Sequence, residues 1–259
     1  MKKRTLYTIA VIVVFILSVY GRLLIDIVFD IKIYSTSIYS NLIINYLWWI
    51  IPVLLLLTLS FGPKSLLNRL SLDRPFIKAF LFALIFVFPM LLGALFSGQF
   101  NKSLRIWDII EGAILAGFFE ELIFRGFLFG QLFRNCNWGF IPAASLNAVL
   151  FGLGHIYQGS SFEETLGVFL VTLSGGIWFA WLYAEWNNNI WMPVCMHVLM
   201  NFSWMITTSN ETALGSLLPN VFRVLTIAIS IVITIKMKEN LKSLRINKSN
   251  LWVNKSSTQ

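Results

Sequence analysis

Charge is what this sequence has least of. Asp, Glu, Lys and Arg make up only 12% of its 259 residues, against about 25% in a soluble domain. Such a chain cannot clothe a water-facing surface, which excludes an ordinary soluble globular protein. Acid is scarcer than base, with 12 Asp and Glu against 20 Lys and Arg. The basic excess gathers at the two ends and is not interleaved with aromatics, which excludes a nucleic-acid-binding surface and reads as membrane topology. There are two cysteines, Cys136 and Cys195, without metal-type spacing or a disulfide framework. Both read as small buried apolar residues. Histidine is equally rare, and no internal repeat or low-complexity segment is present.

What the chain has in abundance is apolar side chains, 57% of the total. A membrane-crossing helix needs about 20 mostly apolar residues. Candidate spans run from Leu6 to Ile25, Leu42 to Leu59, Phe76 to Phe96, Ile109 to Phe133, Phe140 to Leu153, Leu166 to Tyr183, Ile190 to Ile206 and Val221 to Ile235. This predicts an all-α, polytopic transmembrane bundle of about eight spans in a multi-pass cell-membrane protein. Pro52 and Pro89 interrupt the second and third spans, and Pro193 suits the first turn of the seventh. Glu163 and Glu164 suit the N-terminus of the sixth. The opening Lys2-Lys3-Arg4 and apolar run read as a retained first span.

Loop charges agree with an even count. Lys2, Lys3 and Arg4, then Lys64, Arg69 and Arg74, then Arg134, and finally Lys236, Lys238, Lys242, Arg245, Lys248 and Lys255 all fall on one side. By the positive-inside rule that side is the cytoplasm, with both termini in it. Asp26, Asp30 and Lys32, and Glu211, then lie outside; Lys102 with Arg105 is the discordant loop. Residues 1–235 form the transmembrane domain, and 236–259 a basic, mobile cytosolic tail. Trp48, Trp49, Trp138, Trp186 and Trp191 read as interfacial belt residues.

Against this background one stretch stands out. Glu120, Glu121 and Arg125 lie within the fourth span, where a single ionisable residue costs roughly 2.5–3.5 kcal/mol or more. Residues four apart share a helix face, so Glu121 can pair with Arg125. Glu120 is turned by about 100° and has no such partner. The two histidines fall after the fifth span (His155) and within the seventh (His197), and Asn201 shares the face of His197. Each group alone reads as packing, an ion pair or interhelical glue. Together, from three spans facing a bundle interior, they read as one shared site.

At these residues the sequence resembles the CPBP intramembrane proteases, which include type II CAAX prenyl endopeptidases and their bacterial Abi and bacteriocin-processing relatives. The family's three motifs read here as Glu120-Glu121-Leu122-Ile123-Phe124-Arg125, Phe151-Gly152-Leu153-Gly154-His155 and His197-Val198-Leu199-Met200-Asn201. They stand in the family's order within a core of about 107–204. The resemblance implies an endopeptidase acting on peptide or membrane-protein substrates in the bilayer. Glu120, assisted by His155, would activate water; Glu121 with Arg125 would support the helix; His197 and Asn201 would hold the oxyanion. No cofactor is expected in that form. A metal-dependent form would bind zinc through Glu120, His155 and His197. A non-catalytic relative, such as a bacteriocin-immunity or scaffold protein, is the alternative in another class. A small proton-coupled transporter is a third, disfavoured by the absence of an inverted repeat.

Overall fold

A computed structural model describes residues 2–30, 38–97, 100–207, 212–240 and 243–254. Lys32, Glu211, Lys242 and Lys255 lie outside the described residues. Eight long helical elements emerge from the apolar runs: α1 (Lys2–Phe29), α2 (Ile38–Phe61), α3 (Phe76–Ser97), α4 (106–135), α5 (Phe140–Leu153), α6 (Phe162–Glu185), α7 (Trp191–Met205) and α8 (Leu217–Asn240). Each contains or closely matches one expected span. Six of these stretches are long and apolar enough to cross a membrane; α4, with its charges, and the 15-residue α7 are the other two. Among the described residues β-structure is limited to two isolated bridges. Pro52 and Pro89 lie inside continuous helices.

Local chemistry sets the ends. Ser161 caps α6 by accepting from the Glu164 backbone N–H, as the acidic first turn anticipated. The loops expected to share a side do meet at one end of the bundle. Arg134 reaches the carbonyls of Asn68 and Arg69, Arg69 donates to Asn135, and Tyr7 donates to Gln131. The discordant Arg105 is neutralised by Asp108, 2.6 Å away.

The chain after α8 differs from the expectation of a mobile tail. Residues 243–254 dock as a strap on the same end. Carbonyls of Trp252, Asn250 and Leu251 accept from the backbone N–H groups of Gly139, Phe140 and Ile141, the otherwise unpaired donors that open α5. Glu185, fully buried at the end of α6, accepts from the N–H groups of Arg245 and Ile246 at 3.0 and 2.9 Å. A helix start and a buried carboxylate both needed partners, and the strap supplies them. Trp186 also differs from its expected belt position: it is buried, with its indole N–H on Thr234 of α8. Cys136 and Cys195 are free and buried, as expected.

Two apolar cores hold the bundle. One gathers side chains of α1, α2, α4 and α5 with Ala180, Tyr183 and Ala184 of α6 and Val194 of α7. The other gathers α3, α8, and the remaining faces of α6 and α7. The polar residues of the three motifs lie where α4, α5 and α7 meet, along the seam between these cores.

Candidate active site

The helix α4 is not uniform. Two π-helical stretches, Ile110–Leu115 and Leu122–Phe129, bracket the α-helical turn Ala116–Glu121 that carries the acidic pair. Such widened turns are rare and recur at functional sites. Glycines let α7 approach closely. A Cβ on Gly117 would stand 2.9 Å from Val198 Cγ2 and 3.0 Å from the Val198 backbone N; on Gly112 it would meet the Met205 side chain at 2.9 Å. Only an unsubstituted α carbon permits this approach, and it sets His197 against the acidic turn.

The two adjacent carboxylates occupy different environments. Glu121 is fully buried, and its Oε1 accepts from Arg125 Nη1 at 2.9 Å and from His197 Nδ1 at 2.7 Å. The first bond was legible as a four-residue spacing. The second joins residues 76 apart and had no local signal. Arg125 is also fully buried and stands over aromatic faces, with its Cζ 4.4 Å from the Phe151 ring centroid and 5.5 Å from that of Phe179. Cation–π attraction supports the charge there. The Phe151 ring also packs against His155, with centroids 4.5 Å apart, which gives the first residue of the Phe-x-x-x-His motif two tasks. Phe179 flanks His197 at 5.8 Å. It was not singled out from sequence, since one phenylalanine among 23 carries no signal.

Glu120 faces the two histidines. Its Oε2 lies 4.0 Å from His155 Nε2 and 3.9 Å from His197 Nε2. These separations are too long for direct hydrogen bonds but match one bridging water, which spans about 4–4.5 Å. The tautomers follow from the partners. His155 Nδ1 lies 2.8 Å from the Phe151 carbonyl, which can only accept, so Nδ1 carries the proton. His197 Nδ1 likewise donates to Glu121. In neutral rings both Nε2 atoms therefore present lone pairs towards Glu120. The side chains of Glu120, His155 and His197 retain 20, 19 and 12% exposure, so none of the three is sealed completely.

Asn201 is held by the same helix but by a different contact. Its amide donates to the Gly112 carbonyl at 2.9 Å, leaving one N–H uncommitted by that bond. The structure thus joins Glu120, Glu121, Arg125, His155 and His197 in one cluster, with Asn201 one turn along α7 from His197. The donor chemistry of Glu120, His155 and His197 suits zinc, because both Nδ1 atoms are anchored and both Nε2 atoms are free of such bonds. Yet among the described residues no group of three His, Cys, Asp or Glu side chains is arranged to hold a metal ion.

Two comparisons with known proteins find a likeness over part of this chain. Residues 101–203 match the family model described as type II CAAX prenyl endopeptidase Rce1-like. A stretch of 93 residues is 34% identical to the Bacillus subtilis (strain 168) protein named "Putative membrane peptidase YdiL". The alignment spans 36% of this chain and 34% of that relative's length. Residues 101–203 contain α4 to α7 up to Ser203 and every residue of the three motifs. Residues 101–203 are thus similar to this endopeptidase family, and the chain spans about a third of the length of the curated relative it matches.

Proposed function

We propose that the protein is an intramembrane endopeptidase that hydrolyses peptide bonds with a glutamate-activated water. The observation that carries this reading is the contrast within the acidic pair. Glu121 is tied down through Oε1 by both Arg125 and His197, whereas Glu120 Oε2 has no hydrogen-bond partner and confronts two imidazole nitrogens. Residues 101–203 match a family named for endopeptidases, which supports the same class.

In this reading Glu120 and His155 hold a water between them. Glu120 accepts one water proton as the oxygen attacks the peptide carbonyl. The tetrahedral oxyanion takes hydrogen bonds from the second N–H of Asn201 and from His197. To donate from Nε2, His197 must carry both ring protons, and Glu121 orients it by holding Nδ1. Collapse of the intermediate breaks the C–N bond, and the proton taken by Glu120 passes to the leaving amine. The products are a new carboxyl and a new amino terminus, so the proton count balances. The substrate is a peptide or membrane-protein segment reaching the bilayer interior.

The test is purified full-length protein in vesicles, stripped with a chelator and checked for residual metal, then given membrane-inserted peptides and read by mass spectrometry. Cleavage persisting without stoichiometric metal is expected. Loss of cleavage on stripping, with recovery on adding zinc, would replace the metal-free mechanism by one built on Glu120, His155 and His197. No cleavage by untreated protein across a broad peptide set would leave the non-catalytic reading in its place.

A further inference from the structure

Most polar atoms buried in this protein find partners, and those that do not are concentrated. Ten buried side-chain N or O atoms among the described residues have no hydrogen-bond partner, and seven of them belong to Ser18, Glu120, Glu121, Arg125 and Asn147. Arg125 contributes Nε and Nη2, Asn147 both amide atoms, and Ser18 its hydroxyl. Ser18, Glu121, Arg125 and Asn147 are fully buried.

These residues lie on three helices, α1, α4 and α5. α1 touches both α4 and α5: the Tyr7 hydroxyl donates to Gln131 near the end of α4, and the Tyr20 hydroxyl donates to the Leu150 carbonyl near the end of α5. On α5, Asn147, Phe151 and His155 are spaced by four and share a face. Arg125 stands over the Phe151 ring, and the neighbouring Phe124 packs edge-on against both Phe15 of α1 and Phe151, each at 5.0 Å. Asn147 thus lies one turn along α5 from the ring that Arg125 covers, and Arg125 in turn bonds Glu121 beside Glu120.

The unpartnered atoms are of both kinds. Arg125 Nε and Nη2 and Asn147 Nδ2 donate; Asn147 Oδ1, Glu121 Oε2 and Glu120 Oε2 accept; Ser18 does either. A cation at Arg125 would be repelled, and an apolar group would leave every atom unpaired. Water both donates and accepts, and buried water typically serves such polar groups with two to four partners. We propose that Asn147 and the free edge of Arg125 bind a file of buried water molecules that supplies Glu120. Hydrolysis consumes a water at each turnover, in surroundings where hydrocarbon supplies none. The purpose of the file rests on the endopeptidase reading; its existence does not.

The experiment pairs Asn147→Leu, close to the native volume but apolar, with Asn147→Ser, which leaves room for a water and can bond it. Full-length variants are compared in vesicles for kcat, KM and melting temperature. The expected result is a kcat lower by about tenfold in the Leu variant with KM little changed, and substantial recovery in the Ser variant. A Leu variant that melts higher than wild type and keeps its kcat would overturn the proposal, because removing a dry, unpaired amide stabilises. A structure of the wild type that resolves ordered solvent tests it even if the Leu variant does not fold. Solvent peaks at about 2.7–3.2 Å from the Asn147 amide and Arg125 Nη2 are expected; a dry junction would refute it. If Glu120→Gln abolishes cleavage while Asn147→Leu does not, the water file falls and the endopeptidase stands. If wild type cleaves nothing yet solvent fills the junction, the reverse holds.

Discussion

Two regions of this molecule bury carboxylates, and they treat them differently. At the strap end, Glu185 accepts from two backbone N–H groups, Gln131 bonds Tyr7, Asn135 and the Arg69 carbonyl, and Asn254 donates to the Phe133 carbonyl. At the seam of α4, α5 and α7, Glu120 Oε2, Glu121 Oε2, two Arg125 nitrogens and the Asn147 amide lack such partners. A fully satisfied polar network rigidifies and specifies structure, whereas unsatisfied groups in a native protein call for an explanation such as chemistry or bound water. The comparison teaches which buried charges hold the fold and which are kept available.

The largest effect should come from the available carboxylate. Glu120→Gln keeps the shape and removes the base, so cleavage in vesicles should fall by about 10²–10⁴-fold with the melting temperature unchanged. Next comes the ion pair beside it. Arg125→Met leaves Glu121 buried without its guanidinium and should cost about 3–5 kcal/mol in thermal or denaturant unfolding. Adding Glu121→Gln to that variant should recover much of the stability but none of the activity, because His197 loses its carboxylate. Gly117→Ala should cost about 1–3 kcal/mol by pressing a methyl against Val198, and it should slow cleavage by moving α7 from α4. The smallest effect belongs to the strap. Glu185→Leu removes the acceptor of two backbone N–H groups and should lower stability by about 1–3 kcal/mol. Limited proteolysis should then cut within 243–254, while cleavage activity persists. An activity loss there equal to that of Glu120→Gln would erase the distinction between the two regions.

Much of this contrast was legible in the sequence. Apolar runs marked the helices, because membrane-crossing length leaves few alternatives. Four-residue spacing paired Glu121 with Arg125 and singled out Glu120 as the acid without a local partner. The three motifs, in order, assembled the remaining site residues. What escaped depended on distant packing. The bond from Glu121 to His197 needs the α4–α7 approach at Gly117, and no local pattern encodes it. The π-helical turns around the acidic pair depend on hydrogen-bond register, which composition does not reveal. The strap carries no apolar periodicity; its placement follows from the unpaired start of α5 and from Glu185, both fixed only once the bundle forms. Asn147 did leave a trace, an amide inside an apolar span four and eight residues before Phe151 and His155.

The central claim is that Glu120 performs the hydrolysis and Glu121 supports it. It is tested most directly by the rate of peptide cleavage by Glu120→Gln in vesicles, measured beside its melting temperature. The account predicts loss of cleavage by at least about 10²-fold in a protein that melts as the wild type does. Cleavage at the wild-type rate by a folded Glu120→Gln protein would contradict it.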